Sequence, residues 1–327
     1  MAETPRELVN YLREHLGERF EIEALPGDAS TRGYFRVSLP GGDRLMAAYY
    51  PEPVRAQIGK FVGAYGALSP VTRIPQILHH GRCAIVQQDV GDLTLFEILE
   101  TDPEKGRHLY RRAIDLLVEF QSSSEGAGGI NPAFTAEDFA RELAMTREFW
   151  VEQACGISDG GRLARLTGWF EGLAEAIRQH PYVLCHRDFH GQNMHLFNDE
   201  IFVIDYQDLR MGPDTYDLAS LLRDRGIIRA LGTDAEERLI EYYRERSGSD
   251  AGLRKRYAET LLQRSIKIVG TFARQSLARR RHHYLAYIPP TLATIRTCVD
   301  VLPEYEGLLA EFPTEPKGGR AAFGIGG

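Results

Sequence analysis

Apolar residues recur along the chain with two different periods, and the switches between them outline its elements. Leu8, Tyr11, Leu12 and Leu16 fall at helical spacing, so Pro5 to Leu16 reads as an amphipathic helix with Thr4 as its N-cap. A two-residue alternation follows over Phe20 to Leu25, Tyr34 to Leu39 and Arg44 to Tyr50, with Gly41-Gly42 as a turn. Pro53 to Leu68 returns to the helical period, and Ala84 to Gln88 reads as a short buried strand. Gln88-Asp89-Val90-Gly91-Asp92 breaks the pattern and is placed as a hinge. Beyond it the helical period dominates: Lys105 to Ser122, Thr135 to Gln153, Arg162 to His180, Thr215 to Arg225, Ala235 to Ser247, Leu253 to Arg281 and Pro290 to Leu302. Two short strands interrupt it, near Met194 to Phe197 and Ile201 to Ile204.

The 327 residues suffice for one large domain or two lobes with real cores. A formal charge of −7 argues against nucleic-acid binding through phosphate contacts, although local cations can still favour an anionic ligand inside a cleft. Cys83, Cys155, Cys185 and Cys298 are scattered, which indicates neither a zinc site nor a disulfide framework. No apolar run reaches membrane-spanning length, and Met1-Ala-Glu-Thr-Pro has no signal pattern. The expectation is a cytoplasmic protein with a small-molecule substrate and no nucleic-acid, membrane or protein partner.

Chemistry concentrates between Val183 and Asp205. Asp188 stands two residues after His186, Asn193 five after Asp188, and Asp205 closes the apolar run Ile201 to Ile204. This order, H-R-D-x-x-x-x-N followed by an Asp at the end of a strand, carries catalytic and metal-binding groups in protein-kinase-like phosphoryl transfer. A carboxylate at Asp188 orients the attacking hydroxyl as catalytic base. Asn193 and Asp205 offer oxygen to Mg²⁺, a hard cation. Each residue alone would be an ordinary turn or cap former; four in this order between two strands outweigh that reading.

The element order then predicts an α+β, bilobal protein-kinase-like fold. Residues 1–88 form a β-rich lobe covering the nucleotide and 89–92 the hinge. Residues 93–312 form a mainly helical lobe with the catalytic loop and acceptor site, and 313–327 a disordered Pro/Gly-rich tail. Gly27 to Gly33 lies where kinases cover ATP, with Ser30, Thr31 and Arg32 as phosphate donors. Gln88 and Val90 are the nucleotide candidates at the hinge. The third strand has no lysine and the following helix no acidic residue, so both members of the usual kinase ion pair are absent together. The triphosphate then needs another cation, from among Arg32, Arg36, Arg44 and Lys60. Asp214 is expected to cap a helix, His186 and Asp217 to support the catalytic loop, and His195 to sit in the core. Asp208, Arg264 and Lys267 are acceptor candidates.

The strings H-R-D-F-H-G-Q-N, I-D-Y-Q-D and G-P-D-T-Y-D-L-A-S-L-L-R-D resemble the aminoglycoside-phosphotransferase-like (choline-kinase-like) superfamily. G-D-A-S-T-R-G-Y-F-R-V, R-E-L-A-M-T-R-E-F-W from Arg141 and Q-R-S-I-K-I-V-G-T-F-A-R from Gln263 are similar to the anomeric N-acetylmuramate/N-acetylglucosamine 1-kinases of cell-wall recycling. The resemblance spans about residues 20 to 305. It implies ATP- and Mg²⁺-dependent phosphorylation of an amino sugar at C1, with Asp188 as base and Asn193 and Asp205 as metal ligands. The chain departs from that pattern after the third strand, where Ala48-Tyr49-Tyr50-Pro51-Glu52 replaces Asp-Ala-Pro-Pro-Glu. Two other readings compete: the same chemistry on an aminoglycoside, choline-like or other hydroxyl compound, and a nucleotide-binding pseudokinase or scaffold.

Overall fold

The computed structural model describes residues 4–26, 32–122 and 129–317. The chain divides into two compact units. One comprises residues 1–132 and 186–210, the other residues 133–185 and 211–327. This line differs from a boundary at 89–92, because the helices after that segment and the catalytic strands group with the sheet.

In the first unit, helix α1 (Arg6–Leu16) buries Leu8, Tyr11 and Leu12. Its N-cap is Pro5 rather than Thr4, with no side-chain cap. Strands β1 (Glu21–Ala24), β2 (Gly33–Ser38) and β3 (Arg44–Tyr49) form an antiparallel meander in which Arg36 faces Glu23 on one side and Met46 on the other. Helix α2 (Gln57–Leu68) precedes β4 (Ile77–Gly81) and β5 (Ala84–Gln88), completing a sheet of order β1-β2-β3-β5-β4. Leu8 and Leu12 of α1 pack with Phe35, Val37, Ala47 and Val86 from the sheet, so alternation supplies one apolar face for one apolar helix stripe. Helix α3 (Leu95–Thr101) opens with a capping box between Thr94 and Glu97, and α4 (Pro103–Ser122) follows.

The second unit takes up the chain with α5 (Ala136–Thr146), a π-helical segment Arg147–Ala154, α6 (Gly160–Arg178) and strand β6 (Tyr182–Cys185). The chain returns to the first unit for the hairpin β7 (Met194–Phe197) and β8 (Glu200–Val203). Asn198 and Asp199, at φ 50° and 60°, make its two-residue turn with the twist the strands need. The Leu196 N–H donates to the Leu93 carbonyl, which joins this hairpin to the segment before α3.

Strand β9 (Arg210–Pro213) pairs with β6, and helices α7 (Tyr216–Arg223), α8 (Ile228–Leu231), α9 (Thr233–Ser247), α10 (Leu253–Arg279), α11 (Ile288–Val301) and α12 (Glu306–Glu311) complete the second unit. Of the stretch expected to be disordered from Pro313, residues 313–317 pack here: Trp150 Nε1 donates to the Pro313 carbonyl at 2.8 Å, and the Lys317 N–H to that of Ala154 at 2.9 Å. The remainder lies outside the described residues. The architecture is α+β, with a small antiparallel sheet and a larger mainly helical part.

Candidate active site

Asp188, Asn193 and Asp205, expected as base and metal ligands, all belong to the first unit, where a chain of hydrogen bonds links their segments. His186 is fully buried; its Nε2–H donates to the Ile204 carbonyl at 2.9 Å, and its ring lies against Phe120 and Phe189. The Asp188 carbonyl accepts twice, from the His190 N–H at 3.0 Å and from Asn193 Nδ2 at 2.9 Å. The Asn193 carbonyl in turn accepts the Ile204 N–H at 3.0 Å. Asn193 is therefore fixed on one side to the backbone of Asp188 and on the other to the residue preceding Asp205. Arg187 and Asp205 adopt left-handed backbone, φ 82° and 62°, a conformation costly for residues with side chains and concentrated at functional sites.

Tight packing holds this loop from below. A Cβ on Gly191 would lie 2.4 Å from the Tyr110 hydroxyl and 2.9 Å from the Phe96 nitrogen, so only glycine lets the loop settle onto α3 and α4.

Asp205 Oδ1 accepts from Arg32 Nη2 at 3.3 Å and from Gln207 Nε2 at 3.0 Å. Gln207 also reaches Asp208 Oδ2 at 3.3 Å, so one buried amide bridges two carboxylates, while Asp208 itself is exposed. The sequence marks this role only by the Gln between the two Asp of I-D-Y-Q-D. Arg32 stands beside the Tyr34 and Tyr50 rings, 5.8 and 5.9 Å from their centroids. Burial opposes its charge, but Tyr34, Tyr50 and Asp205 together outweigh burial and keep the guanidinium protonated.

The other candidate cations separate clearly. Arg36 is committed to Asp89 at 2.6 Å and to Asp92 at 2.8 Å, which removes it from the phosphate candidates. Hydrogen bonds from Arg36 hold the Asp92 carboxyl below the usual carboxylate range. Arg44 and Lys60 are exposed. The segment 89–92 is itself well anchored: Asp89 Oδ1 accepts the Gly91 N–H at 2.9 Å, and His195 Nδ1 donates to the Gly91 carbonyl at 2.7 Å. His195 is thus half-buried and hydrogen-bonded rather than a core residue. Gln88 pairs with Gln76 through backbone and side chain, and the Val90 side chain is buried. Ser30 and Thr31 lie outside the described residues.

The donor set fits a hard divalent cation. With Nδ2 of Asn193 occupied by the Asp188 carbonyl, its Oδ1 is the remaining amide atom, and it is an oxygen like the Asp205 carboxylate. Asp205 already faces a cation in Arg32.

In the second unit Asp217 is fully buried in the first turn of α7. Asp214 does not cap that helix; Thr215 holds the cap position, and the Asp214 carboxylate instead accepts Arg256 Nη2 at 2.8 Å. Arg264, expected among the acceptor contacts, is buried in an ion pair with Asp224 and donates to Ser220 Oγ at 3.1 Å. Lys267 reaches Glu142 at 3.0 Å and the Tyr216 hydroxyl at 3.3 Å.

The sequence profile of the phosphotransferase enzyme family matches residues 21–259. An N-acetylmuramate/N-acetylglucosamine kinase from Pseudomonas aeruginosa is 27% identical over 324 residues, covering 95% of this chain and 94% of the relative. A kinase of the same description from Neisseria meningitidis is 28% identical over 315 residues, 88% of this chain and 89% of the relative. Among solved structures, an ADP-bound aminoglycoside phosphotransferase superposes with a TM-score of 0.64 at 15% identity, covering 89% of this chain and 98% of that one. A choline/ethanolamine kinase family protein from Mesorhizobium loti gives 0.58 at 19% identity, covering 92% and 94%. These structures share the fold.

Proposed function

Because the chain belongs to the phosphotransferase enzyme family, and is a small-molecule phosphotransferase, we propose that it transfers the γ-phosphoryl group of ATP to the anomeric hydroxyl of an amino sugar. N-acetylmuramate and N-acetylglucosamine are the proposed acceptors, after the two curated relatives, and recycling of cell-wall sugars is the proposed setting. The observation that carries this reading is the double anchoring of Asn193, which ties Asp188 and the residue before Asp205 into one unit.

The exposed Asp188 carboxylate accepts the hydrogen bond of the sugar C1 hydroxyl and orients its oxygen for in-line attack. The new bond forms between that oxygen and Pγ as the bond from Pγ to the β–γ bridging oxygen breaks. ADP leaves with the electron pair, and the hydroxyl proton passes to Asp188 and then to solvent. An anomeric hydroxyl is more acidic than other sugar hydroxyls, which eases its deprotonation by a carboxylate. Asn193 Oδ1 and Asp205 would hold Mg²⁺, which when bound neutralises charge on the phosphate oxygens. Arg32 supplies the cation that the missing third-strand lysine would otherwise provide. Backbone groups around Gln88 and Val90 take the base of the nucleotide.

Incubation with Mg²⁺-ATP and a panel of amino sugars, aminoglycosides and choline tests this reading. Phosphorus NMR of the product should give a sugar 1-phosphate resonance coupled to the anomeric proton. Phosphate on any other oxygen, or ATP consumed only with an aminoglycoside or choline, would refute it. No ATP turnover with any acceptor would favour a scaffold.

A further inference from the structure

Strand β2 alternates, so Phe35 and Val37 enter the core with α1 while Arg36 stands on the opposite face of the sheet. There it shares one rung with Met46 of β3 and with Gln87 of β5, two residues before Asp89. The side chain does not run out into solvent. Arg36 Nε donates to Asp89 Oδ2 at 2.6 Å and Nη2 to Oδ1 at 3.4 Å, a two-pronged pair with side chains 11% and 6% exposed. Nη2 also donates to Asp92 Oδ1 at 2.8 Å, where the carboxylate is exposed. One guanidinium thus grips both carboxylates of the segment 89–92.

That grip is passed along the backbone. Asp89 Oδ1 also accepts the Gly91 N–H at 2.9 Å, and the Gly91 carbonyl accepts from His195 Nδ1 at 2.7 Å. Both polar groups of the Gly91 backbone are therefore used. Those of Val90, between the two fixed residues, are not. Among the described residues neither its N–H nor its carbonyl has a partner, although the residue is only 5% exposed. Buried backbone groups are nearly always paired, so a donor and an acceptor left open side by side mark a place for a ligand that offers both. His195 stands two residues beyond Asn193, so the same hydrogen bonds tie this segment to the strand that follows the proposed metal ligand.

We propose that Arg36 is a positioning residue for the nucleotide: through Asp89 and Asp92 it holds the segment 89–92 so that the Val90 N–H and carbonyl meet the edge of the base. The inference rests on the ATP-dependent kinase reading and deepens it. Arg36 touches neither phosphate nor base, and acts only by keeping the segment in its binding-competent conformation. Apparent affinity falls in proportion as that conformation is depopulated, so a segment competent about a tenth of the time binds the base about tenfold more weakly.

Calorimetric titration of Mg²⁺-ATP, and of Mg²⁺-tripolyphosphate, which has no base, into the full chain without acceptor tests this. Arg36→Gln should weaken Mg²⁺-ATP binding roughly tenfold and leave tripolyphosphate within about twofold. In turnover, KM for ATP should rise while kcat at saturating ATP holds. Arg36→Lys, which keeps the charge but loses the fork, should fall between. Asp92→Asn should shift ATP binding less than Arg36→Gln does, because that carboxylate is exposed. Arg36→Gln leaves Asp89 a buried charge without its partner; if that variant melts early, Arg36→Gln combined with Asp89→Asn, neutral on both sides, takes the same reading. A folded variant that binds Mg²⁺-ATP like the wild type overturns the inference, as does an equal loss of both ligands, which marks general loosening. In either case sugar phosphorylation by the wild type leaves the kinase reading standing. Arg36-dependent Mg²⁺-ATP binding without phosphoryl transfer to any acceptor refutes that reading alone. A wild type that binds neither ligand refutes both.

Discussion

Arg32 Nη2 stands 3.3 Å from Asp205 Oδ1, so the carboxylate that closes the apolar strand faces a guanidinium in the folded chain. The Arg32 side chain is only 12% exposed and the Asp205 carboxylate 38% exposed, so the pair is partly shielded from solvent. In the proposed reaction Arg32 balances Asp205 until a metal–nucleotide complex brings positive charge to the carboxylate and negative charge to the arginine.

Replacing Arg32 by Ala should weaken productive ATP binding, lowering kcat/KM for ATP by roughly ten- to a hundredfold, the scale of lost charge-assisted hydrogen bonds to phosphate. Asp205 is solvated enough that thermal stability should change by no more than about 1 kcal/mol. Steady-state kinetics at saturating acceptor checks the first expectation and a melting curve the second.

Asn193 should show itself in the metal requirement. Chelation of divalent cations should abolish turnover and restored Mg²⁺ recover it. In Asn193→Ala the Mg²⁺ concentration for half-maximal rate should rise by roughly tenfold or more, since even outer-shell partners of a metal are worth that much. An unchanged Mg²⁺ dependence would remove Asn193 from the metal site.

Gly191→Ala tests the packing under the loop. The added Cβ meets the Tyr110 hydroxyl and the Phe96 backbone, so the loop must lift. Overpacking of this kind costs about 1–3 kcal/mol of stability. A displacement near 1 Å costs on the order of 10²-fold in rate, so activity should fall well before folding is lost. Comparing kcat with the melting curve separates the two.

The four cysteines are all buried, and burial pushes the Cys155 and Cys298 thiols up to about 12. Their thiolate fraction at pH 8 is then roughly 10⁻⁴, and the thiolate is the reactive form. Mass spectrometry after brief iodoacetamide treatment at pH 8 should find these two unmodified in the native protein and fully alkylated in denaturant.

Much of this architecture can be read along the chain, for identifiable reasons. The β7–β8 hairpin and the long helices announce themselves because each buries one face at a fixed period. Strand β4 does not: Leu78 points outward while His79 is half-buried, so the apolar alternation is scrambled. Helix α3 is only seven residues long, too short for periodicity, although Thr94-Leu95-Phe96-Glu97 carries a capping box that marks its start. The π-helical turn at Arg147 continues an apolar face that reads as ordinary helix. In the site, residue types and spacing single out Asp188, Asn193 and Asp205. Which arginine serves Asp205 is another matter, because Arg32 and Arg36 differ only in partners 173 and 53 positions away. Asp214 likewise looks like a cap until the fold brings Arg256 to it.

In the proposed reaction Asp188 orients and deprotonates the acceptor hydroxyl, so the rate of sugar phosphorylation by Asp188→Ala at saturating Mg²⁺-ATP is the decisive reading. A fall of roughly 10²–10⁴-fold, the usual cost of losing a general base, with ATP binding retained, is the predicted result; a variant keeping more than about a tenth of the wild-type rate would contradict it.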